Sequence, residues 1–360
     1  MKVIMDAYYL GKPFSSMGIF QRNMIVQFAS IDEIDELHIL TEDEPDDDLR
    51  LDKFHFHILQ GSFIQKGHHI SKLQRAISPD IIFYTFNLIP PMESTSKVRK
   101  VLQNHDWSHG QFSSEFGEKV RGHIYQKLHR RSARKADINL ANSEFTNEET
   151  KKYAGRSCSV IYHDADPIYK SKVLEEMDTQ MLRGFQPFNY VIYAGRVGPV
   201  YKNIRSLLLA FKNLSSKYKD VRLVLVHSDS FNREDMRLIK KLNSSVLSLS
   251  NVTKLELKYL YKNSLCMVYP SLYEGFGSPI LEAQNSGTPV IAYNHKPMTE
   301  VGGDGAEYYD GTVTDLLQKI TLFFEDQTAR KNTIIRGFIN ARRFDWKTTA
   351  MKTVEAFNEQ

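Results

Sequence analysis

Residues 269–291 read Tyr-Pro-Ser-Leu-Tyr-Glu-Gly-Phe-Gly-Ser-Pro-Ile-Leu-Glu-Ala-Gln-Asn-Ser-Gly-Thr-Pro-Val-Ile, and they set the class of fold. The apolar run that leads into them, Leu265–Tyr269, reads as a short strand entering from a core. Gly275 and Gly277 flank a turn where backbone approaches something closely. Pro279 suits a first helical position, where its missing N–H costs nothing. Glu282 is expected in the first turn, where the macrodipole favours an anion, and Gly287 is placed to end the helix as a left-handed cap. Such a turn, at the carboxyl end of a strand, is where doubly wound parallel sheets bind anionic ligands. Glu274 and Glu282 would repel phosphate but accept hydrogen bonds from neutral hydroxyls. The pattern suggests a ligand with phosphates on backbone N–H groups and sugar hydroxyls on the acids. An ordinary strand-turn-helix with two solvated glutamates is the other reading of the same residues.

Outward from this stretch, short apolar runs alternate with longer amphipathic ones: Val3–Met5, Leu37–Leu40, Phe54–Leu59, Ile81–Tyr84, then Val191–Ala194, Leu223–Val226, Leu265–Val268 and Val290–Ala292. That rhythm belongs to parallel sheets with crossover helices, an α/β class. At 360 residues, with 41% hydrophobic and 25% charged content, the chain favours two domains of globular composition. Pro167, Gly184 and Pro187 fall between the two sets of strands, which places a linker near residues 165–188. The last stretch, Trp346–Phe357, spaces Met351, Val354 and Phe357 as one helical face. No apolar run reaches the roughly 18 residues needed to span a bilayer, and the start is read as carrying no signal peptide. Cys158 and Cys266 lie far apart without metal spacing, so a reducing cytoplasm is expected rather than a disulfide scaffold or zinc site.

Glu-Gly-Phe-Gly-x-Pro-x-x-Glu-Ala, with seven residues between Glu274 and Glu282, resembles the signature of the retaining glycosyltransferases of family 4. Four further segments match that family in order: Met1–Ala7; His105 with Asp106; Ala141-Asn142-Ser143-Glu144-Phe145-Thr146; and Asn189-Tyr190-Val191-Ile192-Tyr193-Ala194-Gly195-Arg196 followed by Lys202 and Asn203. The resemblance implies the GT-B fold, two Rossmann-like doubly wound domains facing a central cleft. Residues 1–165 would bind the acceptor and 166–344 the nucleotide-sugar donor, with the C-terminal helix, 345–360, packing back on the N-terminal domain. The activity implied is transfer of a hexose, mannose or a relative, from a nucleotide-diphosphate sugar to a glycan acceptor. That acceptor would be a lipid-linked precursor of a bacterial surface polysaccharide, such as O-antigen or capsule.

Breaking the bond from the anomeric carbon to a diphosphate builds negative charge on phosphate, which fixed cations and N–H dipoles can stabilise without reorganisation. By resemblance, Arg196 and Lys202 contact the diphosphate, so no metal or other cofactor is expected. Glu282 would accept the ribose hydroxyls, with Glu274 and the N–H groups around Phe276 and Gly277 on the transferred sugar. Gly195, Gly275 and Ser278 complete the donor set. His105 would sit on the acceptor side near the reacting carbon. Gly18, in the loop after the first strand, would let backbone approach the diphosphate; family members often have paired glycines where this chain has Ser15-Ser16-Met17-Gly18. Retention follows from the family alone. The family is generally thought to use a front-face route in which the departing phosphate helps deprotonate the acceptor, so no protein base is required.

Charge is uneven beneath a net +4: residues 32–48 hold ten Asp or Glu and no Lys or Arg, while residues 97–135 hold ten Lys or Arg against three acids. Within the basic segment Phe116, Val120, Ile124 and Leu128 recur every four residues. Either this stripe faces the core and leaves a solvated basic face, or the helix rests on an anionic membrane surface as a peripheral contact. No nucleic-acid recognition motif accompanies the charge. Asp164-Ala165-Asp166 and Asp46-Asp47-Asp48 mimic short metal-binding motifs; the first reads as a divergent turn and the second as a solvated loop. Two other functions stay open at this point: a catalytically silent relative that binds sugar nucleotide or a partner enzyme, and an NAD-dependent oxidoreductase, which would lack its Gly-x-Gly-x-x-Gly.

Overall fold

The computed structural model describes residues 1–12, 15–91, 98–109, 112, 116–172 and 187–359. The chain forms two compact units, Met1–Asp164 with Phe344–Gln360, and Ala165–Arg343. In the first, the strands are β1 (Lys2–Asp6), β2 (Glu36–Thr41), β3 (Phe54–Ile58), β4 (Ile81–Tyr84), β5 (Arg99–Asn104), β6 (Ile138–Ala141) and β7 (Ser159–Val160). Helices α1 (Ser16–Phe28), α2 (Phe63–Ile77), α3 (Phe116–Lys135) and α4 (Glu144–Ala154) connect them. The sheet is parallel, in the order β3-β2-β1-β4-β5-β6-β7. Alternation sends Val3, Met5, Leu37, Ile39 and Phe83 into one core and Ile4, Leu40, Ile82, Tyr84 and Leu102 into another. With both faces covered, these strands read as continuous apolar runs.

The second unit repeats the plan. Its strands are β8 (Tyr190–Ala194), β9 (Arg222–Val226), β10 (Val246–Leu249), β11 (Cys266–Tyr269), β12 (Val290–Tyr293) and β13 (Ala306–Tyr309), with helices α5 (Ile204–Lys217), α6 (Arg233–Leu242), α7 (Lys254–Lys262), α8 (Ser278–Asn285), α9 (Met298–Gly302), α10 (Val313–Glu325) and α11 (Gln327–Ala341). The parallel order is β10-β9-β8-β11-β12-β13. The segment expected to be a linker behaves in two ways. Residues 165–172 belong to this unit, with a 3-10 turn at Pro167–Tyr169 held by Lys258, whose Nζ donates to the Ile168 carbonyl at 2.9 Å. Residues 173–186, including Gly184, lie outside the described residues.

The last helix, α12 (Trp346–Phe357), belongs to the first unit. Its packed face is Trp346, Ala350, Val354 and Phe357, with the Phe357 ring 5.4 Å from Phe83 and 6.3 Å from Phe28. Met351, expected on that face, is exposed; Trp346 and Ala350 continue the period-of-four row from Val354, and Met351 lies off it.

The middle of the apolar row on α3 does not face the core, and Leu128 is only partly buried. Val120 and Ile124 are 44% and 55% exposed; the Phe116 side chain and residues 97, 110–111 and 113–115 of the basic segment lie outside the described residues. The buried face is made of small or polar residues instead. Ala133 and, just past the helix, Ala136 enter the core, Ser132 accepts the Ile89 N–H at 2.8 Å, and His129 stacks on Trp107 at 3.7 Å. Close approach of α3 to the sheet needs small side chains, and this outranks the apolar periodicity. Among the described residues no helix is long and apolar enough to cross a membrane.

Candidate active site

In the second sheet the strand order reverses between β8 and β11, and a ligand meets such a sheet in the crevice outside the carboxyl ends of those strands. Two loops converge there. From β8 the chain enters Gly195, whose φ of +147° favours glycine, and then Arg196. From β11 it passes through Pro270 and Glu274 to Gly277. The loops are joined by backbone: the Leu272 N–H donates to the Tyr201 carbonyl at 2.7 Å, and Asn203 Nδ2 donates to the Pro270 carbonyl at 3.3 Å.

Across this joint Lys202 Nζ donates to Glu274 Oε1 at 2.6 Å, with side chains only 10% and 14% exposed. Each offsets part of the desolvation penalty the other would carry alone. Arg196 is 61% exposed and uses Nε to reach Asp229 Oδ2 at 3.2 Å. The Asp229 carboxylate also accepts the Val197 N–H at 2.6 Å and the Gly198 N–H at 3.3 Å. It therefore shapes the loop that carries Arg196. Sequence reasoning missed Asp229; its one signal is its place just past β9, the neighbour of β8.

Gly277, at φ +104°, starts α8, and no side chain caps that terminus. Phe276 is buried, Gly275 and Ser278 partly so, and Gly287 at φ +76° follows the helix as expected. Pro279 is the second helical residue, which places Glu282 in the second turn of α8, beyond the reach of the first-turn dipole effect inferred for it. Its surroundings act instead. Burial, then the negative charge of Asp166, push the Glu282 carboxyl up to about 7, while a hydrogen bond from Tyr261 and the charge of Lys254 pull it partly back. The Tyr261 hydroxyl donates to Glu282 Oε2 at 3.4 Å. Asp166 pairs with Lys254 and accepts the Ile168 N–H at 3.0 Å, so it serves as a turn acid. The Asp46-Asp47-Asp48 run is likewise engaged, with Arg22 on Asp46 at 2.6 Å and Asp48 at 2.5 Å.

His105 follows β5 in the first unit. Its Nε2–H donates to the Thr85 carbonyl at 2.7 Å, which fixes a tautomer with the lone pair on Nδ1. Burial pulls its pKa down to about 4, so the ring is neutral near pH 7. The adjacent Asp106 accepts the Ser108 N–H and hydroxyl at 2.8 and 2.6 Å. The carboxyl ends of β1 and β4 carry a network absent from the sequence reading. Asp6 Oδ1 accepts the Thr85 N–H at 2.5 Å, the Thr85 hydroxyl donates to the Asp6 carbonyl, and Gln21 Nε2 donates to Thr85 Oγ1. Burial raises Asp6 to about 6. Gly18 is not in a loop but in the first turn of α1, its N–H on Ser15 Oγ at 2.9 Å. A Cβ there would sit 2.2 Å from the Lys12 carbonyl oxygen and 2.6 Å from that of Tyr9, so the chain's own loop occupies the space that glycine leaves.

These features define a class. Two Rossmann-like parallel-sheet domains, the second with paired cationic and carboxylate groups at its switch point, make the GT-B fold of glycosyltransferases. Comparison with known proteins narrows this. Residues 181–338, most of the second unit, match the family glycosyl transferases group 1. Over 174 residues the chain is 33% identical to O-antigen chain mannosyltransferase B of Escherichia coli, covering 47% of this chain and 45% of that protein. The chain spans less than half the length of the first curated relatives it matches. Sucrose-phosphate synthase from Thermosynechococcus elongatus shares the fold, with TM-score 0.80 and 15% identity, over 99% of this chain and 98% of that one. So does HepE of Anabaena in complex with UDP-glucose, with TM-score 0.74 and 19% identity, over 99% and 98%.

Proposed function

We propose that the protein is a retaining, metal-independent glycosyltransferase that moves a hexose from a nucleoside-diphosphate sugar to a glycan acceptor of a surface polysaccharide. The observation that carries this is the Lys202–Glu274 pair at the switch point, flanked by Arg196 and by the uncapped start of α8. Residues 166–344 hold the donor, and residues 1–165 with 345–360 the acceptor. Arg196 and Lys202 take the diphosphate, and the N–H groups after Gly277 add their dipoles. Glu274 aims Lys202 and accepts sugar hydroxyls; Glu282 takes the ribose hydroxyls. The bond from the anomeric carbon to the phosphate oxygen breaks with its electron pair going to phosphate. The acceptor oxygen bonds to that carbon, and its proton passes to the departing phosphate. His105, neutral and fixed by Thr85, positions the acceptor through Nδ1 rather than serving as a base.

Mannose is favoured by the mannosyltransferase relatives, which makes GDP-mannose the first donor to try, with UDP-glucose second because HepE is seen with it. Transfer to a lipid-linked acceptor by protein kept in EDTA, lost in Arg196→Ala and Glu282→Ala, is the expected result; turnover that requires a divalent ion, or survives both changes, overturns the reading. The acceptor class agrees with α3, whose exposed Val120 and Ile124 lie among Lys119, Arg121, Lys127, Arg130 and Arg131. This face suits peripheral contact with anionic lipid.

A further inference from the structure

A second cluster of chemistry-bearing side chains lies in the first unit, on two strands that the transfer reaction does not use. β2 and β3 run parallel with His38 opposite His55 and Leu40 opposite His57. Because strand side chains alternate, Glu36 and His38 share one face of the sheet with His55 and His57. His38 is 6% exposed, Glu36 and His57 are partly buried, and His55 is open to solvent. His38 stacks against both other rings, at 4.7 Å from His55 and 5.3 Å from His57. Its Nε2 lies 3.4 Å from Glu36 Oε2, and its Nδ1 lies 3.0 Å from His57 Nε2.

We propose that Glu36, His38 and His55 form a binding site for a borderline transition-metal ion of the Zn²⁺ class, with His57 orienting His38 from behind. One ligand atom from each of the three residues lies within 4.8 Å of the other two. Ligand atoms around a tetrahedral ion at about 2.0–2.1 Å stand roughly 3.3 Å apart, so small side-chain rotations close the shell. Two imidazoles and one carboxylate suit such an ion, and the exposed side of His55 leaves a fourth position for water. The His38–His57 contact supplies what a ligating histidine needs on its other nitrogen. With Nδ1–H of His38 donated to His57, the Nε2 lone pair turns toward Glu36 and the ion. Lys2 Nζ sits on the other Glu36 oxygen, Oε1, at 2.9 Å, and its side chain, 42% exposed, can swing into solvent.

The position argues for a structural ion. Glu36 is the first residue of β2, on the rim opposite the carboxyl ends where His105 and Thr85 lie. Among the described residues β3 is the edge strand and pairs only with β2, so a metal shared between them fastens the edge to the sheet. Binding to the folded state alone then raises stability in step with free metal.

The test uses the full chain, stripped with chelator and titrated with Zn²⁺ or Co²⁺. One equivalent should bind, Co²⁺ should show the intense visible d–d bands of a four-coordinate ion, and the melting temperature should rise. His55→Ala, an exposed change, should melt like the wild type without metal and lose both the bands and the metal-induced rise. His57→Ala should bind about 10–100-fold more weakly. Unchanged stoichiometry and bands in His55→Ala, or only the pale spectrum of six-coordinate Co²⁺ with no melting shift in the wild type, would overturn the proposal.

Discussion

Replacing Glu282 by Gln separates what this side chain does for the fold from what it does for the ligand. Burial and Asp166 move its carboxyl from 4.5 to about 7. A carboxyl whose pKa is raised by folding binds its proton more tightly in the folded state. Its contribution is therefore fully favourable below pH 4.5, fades as pH climbs through about 7, and is constant above that. The span between those values corresponds to about 3 kcal/mol as an upper bound, and partial solvent contact reduces the expected figure to about 1–3 kcal/mol. Glutamine carries no charge at any pH and can still accept the Tyr261 hydroxyl. Glu282→Gln should thus match the wild type in stability below pH 5 and exceed it above pH 7. For a unit of this size the gain appears as roughly 2–4 °C in Tm per kcal/mol. Calorimetry is the appropriate assay, because both tryptophans, Trp107 and Trp346, lie in the first unit. Asp6 and His105 titrate alike in both proteins and cancel in the difference. A difference that stays flat from pH 5 to pH 8 would refute the reasoning.

Three further outcomes follow from the geometry. Lys202→Met strands Glu274 in a largely buried place and should cost about 3–5 kcal/mol; adding Glu274→Gln should restore much of the Tm without restoring transfer, and the paired melts check it. Asp229→Asn removes the charge that gathers the Val197 and Gly198 N–H groups, so KM for the donor should rise while the melting temperature falls by the equivalent of about 1–3 kcal/mol. Val120→Glu with Ile124→Glu lies on an exposed face and should leave stability within about 0.5 kcal/mol. The same pair should reduce sedimentation with vesicles containing anionic lipid; equal binding by variant and wild type would remove α3 as the contact.

Much of the α/β plan is legible in the apolar runs because a strand buried on both faces must be apolar throughout. β5, β6, β7, β10 and β13 are not legible that way. Arg99 and Lys100 open β5, Asn139 interrupts the short β6, β7 is two residues long, β10 is a half-exposed edge, and β13 reads Ala-Glu-Tyr-Tyr, its Glu307 pairing with Lys319 and Arg336. In the second unit the Gly-Arg turn, Lys202 and the two glutamates are readable as residues, but their pairing is not. That Lys202 meets Glu274, and Arg196 meets Asp229, depends on β8 lying between β9 and β11, an order no local spacing encodes. The α3 stripe shows the converse limit. Periodicity reveals a face but not its direction, and Ala133, Ala136 and Ser132 decide the packing by being small. The Glu36-x-His38 and His55-x-His57 pairs had the period of a strand face in plain view; only register brings them together.

The most direct test of the central claim is calorimetric titration of the protein, in EDTA, with GDP, UDP, dTDP and NAD, repeated on Glu282→Ala and Lys202→Ala. The account predicts that one nucleoside diphosphate binds without a divalent ion and that both substitutions weaken it severely. Binding of NAD alone, or nucleotide affinity untouched by either substitution, would contradict it.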